Sequence, residues 1–67
     1  MTIEEARRRV AEIAAIGWDD PEMAHSAEDA LRHEALKAIA DGVAHQPAAL
    51  AAEVLRSDAL DFPRWCA

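Results

Sequence analysis

Alanine makes up about half of the apolar residues in this chain, which limits what the chain can fold into. Of the 67 residues, 35 are apolar, and 17 of those 35 are alanine. Alanine has the highest helix propensity but buries little surface, so it favours short helices packed around a small core. We therefore predict one all-α domain over residues 1–67, a small three-helix bundle. Because its margin of stability is thin, a monomer and a homodimer both remain open.

The first and third predicted helices have clear start and stop signals. Apolar residues at helical spacing predict a first helix over residues 3–16, with Thr2 as its N-cap and Gly17 as a left-handed terminator. A third helix is predicted over residues 47–56, because it opens with Pro47 and proline fits the first position of a helix.

The second helix is predicted over residues 27–41. Ser26 is the expected N-cap and Gly42 the expected terminator. Before it, Asp20 and Pro21 favour a short turn or a single helical turn, which would form part of the connection from the first helix.

The aromatic residues are predicted to complete the core. Ser57 and Asp58 are expected to start a last turn or short fourth helix. The last seven residues, 61–67, hold two of the three aromatic side chains. We call residues 61–67 the C-terminal strap and predict that it folds back onto the helices through Phe62 and Trp65. Trp18 is predicted to be a core or lid aromatic, because a small core has few large side chains to spare.

Negative charge is concentrated in the middle of the chain. The net charge is −6, and residues 18–42 hold seven acidic and two basic residues, a local balance of −5. Glu28 and Arg32 are i,i+4 partners beside the apolar stripe. They are predicted to pair with each other or with a neighbouring element, or to belong to a partner surface. The arginines at 7–9 are predicted to lie on a solvated face, balanced by Glu4, Glu5 and Glu12. An overall negative charge repels phosphates, so we expect no direct binding of nucleic acid.

The chain shows no recognisable catalytic, metal or cofactor motif. Glu22 and His25 form one Glu-x-x-His, whereas di-iron bundles need two. The single cysteine, Cys66, has neither a neighbouring histidine nor a helix N-terminus to activate it. We therefore expect no enzyme activity, no metal and no cofactor. With no apolar run suited to a signal peptide or a membrane span, the expected location is the cytoplasm.

Two stretches, AHSAEDALRHEALKAIADG (24–42) and LDFPRWCA (60–67), resemble a group of small bacterial and phage open reading frames. Members of that group carry three similar segments: Ala-His-Ser-x-Glu-Asp-x-Leu, an Ala-Ile-Ala-x-Gly end and a terminal Asp-Phe-x-Arg-Trp-Cys-Ala. The resemblance implies no established activity. It implies a signature that includes His25, Ser26, Glu28, Asp29, Arg64 and Trp65. Because the group is associated with phages, the resemblance leads us to expect a small inhibitor or adaptor. Small acidic anti-CRISPR proteins are one class of this kind.

We predict a non-enzymatic module that binds a protein. In the first hypothesis it is an inhibitor whose carboxylates occupy the basic, nucleic-acid-binding surface of a host protein, as phosphates would. The expected contacts are Asp19, Asp20, Glu22, Glu28, Asp29 and Glu34. In the alternative, the chain is a structural or adaptor subunit, or a homodimer, that docks through its strap. The expected contacts are then Phe62, Arg64 and Trp65.

Overall fold

Three α-helices and one 3-10 turn account for most of residues 1–64, the part of the chain that the computed structural model describes. The helices are α1 (Ile3–Ile16), α2 (Pro21–Ala40) and α3 (Pro47–Leu55), and the 3-10 turn covers Arg56–Ala59. Each helix packs against the other two. The prediction of a small all-α three-helix bundle is confirmed, and the 3-10 turn stands where a last turn or short fourth helix was expected.

The first helix begins and ends where the sequence predicts. The Thr2 hydroxyl accepts a hydrogen bond from the Glu5 N–H at 3.0 Å, as an N-cap should. The expectation that Gly17 is left-handed is wrong, because its φ is 17° and its ψ is −108°. A Cβ on Gly17 would lie 2.9 Å from the Ala14 carbonyl oxygen, so the close approach at the helix end requires glycine. The left-handed glycine is Gly42, at φ 74°.

The second helix starts six residues earlier than predicted. Asp20 is its N-cap and accepts from the Met23 N–H at 3.1 Å, and Pro21 takes the first helical position. Ser26 is therefore an exposed residue inside the helix, and its prediction as the N-cap is wrong. The turn that Asp20 and Pro21 were expected to form continues without a break into the helix, because neither glycine nor proline occurs between residues 22 and 41.

The core is built from few large side chains. Phe62 is buried, as predicted for the strap. Trp18 lies on the surface with 65% of its area exposed, so its prediction as a core or lid aromatic is wrong. Leu36 and Val43 are also exposed. The buried apolar residues are Ala6, Ile13, Ala24, Leu31, Ala35, Ala38, Leu50, Val54 and Phe62.

Two of the three arginines in the run at 7–9 join helices instead of pairing within α1. Arg8 does pair within α1, with Glu12 at 2.6 Å and Glu5 at 3.9 Å. Arg7 contacts Glu53 of α3 at 3.3 Å, and Arg9 contacts Glu34 of α2. The arginine run is thus partly a set of interhelical ion pairs, which periodicity within one helix does not reveal.

Candidate protein-binding surface

Glu28 lies inside the bundle, although the sequence placed it among the surface contacts. Its side chain is fully buried. The predicted pair with Arg32 is present, with Arg32 Nη2 3.4 Å from Glu28 Oε2. Because a buried carboxylate presents no surface to another protein, we leave Glu28 out of the contact set.

Arg64, from the strap, is the main partner of Glu28. Its Nε donates to Glu28 Oε1 at 2.9 Å and its Nη2 to Oε2 at 3.1 Å, a two-pronged contact. The same guanidinium donates to the carbonyl oxygens of Ser57, Leu60 and Phe62 at 3.0, 3.2 and 3.3 Å. It also lies 4.0 Å from the centre of the Phe62 ring. Arg64 therefore fastens residues 61–64 to α2, and each of its three side-chain nitrogens already donates a hydrogen bond.

The contacts around Glu28 keep it charged in spite of burial. Burial is the largest influence and on its own would raise the pKa of the carboxyl group. Hydrogen bonds from Arg64 and Ser57, and the positive charges of Arg32 and Arg64, outweigh burial and hold the pKa of Glu28 below its ordinary value of 4.5. Contact with Glu28 likewise raises the pKa of Arg64. The pair is ionised at neutral pH and acts as a structural fastening.

Two further predicted contact residues also have partners within the chain. Glu34 pairs with Arg9 of α1, and Asp29 Oδ1 lies 3.5 Å from His25 Nε2, one turn earlier on α2. Both carboxylates remain exposed. The charge of Glu34 is matched by Arg9, so the predicted acidic surface does not extend unbroken along α2.

The three remaining predicted carboxylates lie together at the start of α2. Asp19, Asp20 and Glu22 are exposed. Within residues 1–64, no lysine, arginine or histidine nitrogen comes within ion-pair distance of any of them. Asp20 also caps α2, so one of its oxygens is engaged by the Met23 N–H. Half of the six predicted acidic contacts thus lie in one exposed stretch, with no counter-charge among residues 1–64.

Two large apolar side chains occupy the same stretch. Trp18 exposes 65% of its surface and Met23 exposes 57%. We call residues 18–23 the acidic corner. Tryptophan at an exposed position beside charged groups is typical of the anchors that carry most of the energy at protein interfaces. The sequence did not indicate this exposed position for Trp18, because the few large side chains were all expected in the core.

Two of the three predicted contacts of the strap point into the bundle. Phe62 is buried and Arg64 is engaged by Glu28, so both face inward. Trp65 lies outside the described residues. No group of three or more histidine, cysteine, aspartate or glutamate side chains within residues 1–64 is arranged to hold a metal ion.

Comparison with models of known protein families, with curated proteins and with solved structures finds no match to the chain. The resemblance to small phage and bacterial open reading frames therefore stays a prediction. Across residues 1–64, no helix is both long enough and apolar enough to cross a membrane.

Proposed function

We propose that this chain is a non-enzymatic protein-binding module that docks its acidic corner onto a basic surface of a partner protein. The observation that carries the proposal is the exposed Trp18 beside carboxylates that have no counter-charge within residues 1–64. In such an interface Trp18 and Met23 fill an apolar pocket of the partner, and Asp19 and Glu22 meet lysine or arginine at its rim.

The partner class follows from the charge. Nucleic-acid-binding proteins offer basic surfaces to phosphates, and a small chain of net charge −6 is drawn toward such surfaces over long distances. By covering that surface, the module would compete with nucleic acid and so act as an inhibitor in the cytoplasm. Its carboxylates would stand in for phosphates at only a few positions, so the apolar anchor supplies the rest of the affinity.

We place the interface at the corner and not at the strap for a physical reason. A docking role for Phe62 and Arg64 requires these side chains to leave the bundle. Phe62 would expose its ring to water, and the buried Glu28 would lose its two-pronged partner and keep Arg32 at 3.4 Å, which is unfavourable. Trp18 and Met23 need no such rearrangement, since they already face the solvent.

The proposal is tested by affinity capture from a bacterial lysate, with the chain as bait at about 0.05 M and about 0.5 M salt. We expect the wild-type chain to retain a basic protein at low salt and to lose most of it at high salt. The Asp19→Asn/Glu22→Gln variant and the Trp18→Ala variant should each lower retention at low salt by about tenfold or more.

The matched control is Glu4→Gln/Asp61→Asn, which removes the same two charges from exposed residues elsewhere on the chain. If the control and Asp19→Asn/Glu22→Gln lower retention equally, net charge alone governs binding and the corner is not the site. A wild-type bait that retains no basic protein at low salt also contradicts the proposal.

A further inference from the structure

The guanidinium group of Arg64 lies in a recess that other parts of the chain build. The carboxylate of Glu28 on α2 forms its base, and the side chain of Glu28 is fully buried. The carbonyl oxygens of Ser57 and Leu60 line one side, and Ser57 is also fully buried. The 3-10 turn that holds Ser57 packs against α1 and α3, and these packing contacts do not involve residue 64. We call the surroundings formed by Glu28, Ser57 and Leu60 the guanidinium recess.

The acceptors of the guanidinium recess match the planar fork of a guanidinium ion. Glu28 accepts one hydrogen bond on each carboxylate oxygen, at 2.9 and 3.1 Å. The carbonyl oxygens of Ser57 and Leu60 also accept from Nη2, at 3.0 and 3.2 Å. The Phe62 ring centre lies 4.0 Å from the guanidinium carbon. An ammonium ion presents its donors from one point and has no flat face, so it fits this arrangement less well.

The second cation beside Glu28 is shared with other acceptors. Arg32 contacts one of the two carboxylate oxygens, Oε2, at 3.4 Å. The same nitrogen of Arg32 donates to the Ser57 hydroxyl at 3.1 Å and to Asp58. Loss of the Arg64 side chain therefore leaves Glu28 with Arg32 at one oxygen and without its two-pronged partner. A buried carboxylate in this state favours a replacement cation.

The atoms that Arg64→Ala removes define the class of ligand. Alanine keeps Cβ, and the rest of the arginine side chain, from Cγ outward, has the same non-hydrogen atoms as the N-ethylguanidinium ion. This free ion can therefore place its donors where those of Arg64 lie. It gives up translational and rotational freedom on binding, so we expect a dissociation constant on the order of 1–10 mM.

We infer that the guanidinium recess is a ligand site, which Arg64 fills from within the chain and which binds an alkylguanidinium ion when the arginine side chain is absent. Residues 61–64 are thus held as an internal ligand, recognised through the planar fork of Arg64. The acidic corner takes no part in this site, so the inference holds or fails independently of the proposed function.

Thermal unfolding of the full-length Arg64→Ala chain, followed by circular dichroism at constant ionic strength, tests the inference. N-ethylguanidinium chloride at about 50 mM should raise the unfolding midpoint by about 5–10 °C, and the rise should saturate with concentration. The wild-type midpoint should change by less than about 1 °C, because Arg64 already fills the recess. If Arg64→Ala is largely unfolded, the same titration at about 5 °C should restore its helical signal, since a ligand of the folded state shifts the folding equilibrium.

The matched control ligand is n-butylammonium chloride, which carries the same charge on an alkyl chain without the planar fork. It should raise the midpoint of Arg64→Ala by about 2 °C or less. The matched control variant is Arg64→Ala/Glu28→Gln, which should lose the response to N-ethylguanidinium. The inference is overturned if N-ethylguanidinium changes neither the midpoint nor the helicity of Arg64→Ala. Equal responses to the two ions, or equal responses of wild type, Arg64→Ala and the double variant, also overturn it.

Discussion

Arg64 and Glu28 form the contact on which the end of the described chain depends. The two residues are 36 positions apart, yet they share two hydrogen bonds and join the strap to the middle of α2. Phe62, two residues before Arg64, is one of the few large side chains in the core. A buried ion pair gives little net stability over an apolar pair of the same shape, but breaking it is costly. The pair therefore specifies where residues 61–64 lie more than it adds stability.

We predict that Arg64→Ala lowers the free energy of unfolding by about 3–5 kcal/mol, because it leaves Glu28 buried without its two-pronged partner. Arg64→Lys should fall between Arg64→Ala and wild type, since lysine keeps the charge but cannot make both contacts. Urea denaturation followed by circular dichroism measures the loss.

The control for this prediction is Arg8→Ala, which removes an exposed ion pair with Glu12 and should cost about 0.5 kcal/mol or less. Equal losses for Arg64→Ala and Arg8→Ala would mean that the pair contributes no more than a surface contact. In that case the strap would not depend on Glu28.

At the scale of helices, two residues compete as the start of α2. The sequence contains two N-cap signals six residues apart, Asp20 before Pro21 and Ser26 before an apolar run. The structure uses Asp20, because a cap and a proline at the first position begin a helix that nothing then interrupts. We predict that Asp20→Ala lowers the free energy of unfolding by about 1 kcal/mol. Ser26→Ala should leave it unchanged or raise it by up to about 0.5 kcal/mol, since alanine is the better interior helix residue.

Thermal melts of the two single variants measure this difference. The opposite order, in which Ser26→Ala is the damaging change, would show that the helix in solution begins at residue 27 and that the first turn of α2 is not stably formed.

How far the elements could be predicted depends on how many signals competed at each boundary. The first helix has one cap and one glycine, and the third opens on a single proline, so both were predicted correctly to within one residue. For α2 the local rules gave two valid starts, and no local rule ranks them. The result matters for the site, because the extra six residues place Glu22 and Met23 of the acidic corner in the first turn of α2, directly after the turn that holds Trp18 and Asp19.

The candidate site was partly predictable for a different reason. Charge clustering along the chain was visible, but the choice of which carboxylates find a partner depends on contacts between distant residues. Glu28 meets Arg64 and Glu34 meets Arg9, 36 and 25 positions away. The prediction that Trp18 is buried was wrong, because it assumed that a chain with few large side chains must bury every aromatic residue. The core is instead closed by alanines and Phe62, which leaves Trp18 free.

At the scale of the whole molecule, the free energy of unfolding is small, so the loss of one buried ion pair affects the stability of the entire fold. At roughly 0.05–0.15 kcal/mol per residue, a chain of this length has a free energy of unfolding of about 3–10 kcal/mol. Single contacts such as the Glu28 pair are therefore a large share of the total.

The pH dependence of stability should report on Glu28 directly. Its partners are Arg32 on the same helix, Ser57 in the 3-10 turn and Arg64 beyond it. Together they hold the pKa of Glu28 in the folded chain below 4.5, so the folded state favours the ionised form more than the unfolded state does. The stabilisation is complete above pH 4.5 and is lost as the pH falls through the lowered pKa.

We predict that the difference in free energy of unfolding between wild type and Glu28→Gln is largest at neutral pH and narrows steadily below pH 4.5. Urea denaturation across a pH series measures it, with Glu4→Gln as the control that should track wild type at every pH. A constant difference between wild type and Glu28→Gln down to pH 3 would mean that the ionised carboxylate does not hold the strap, and that shape alone keeps residues 61–64 in place.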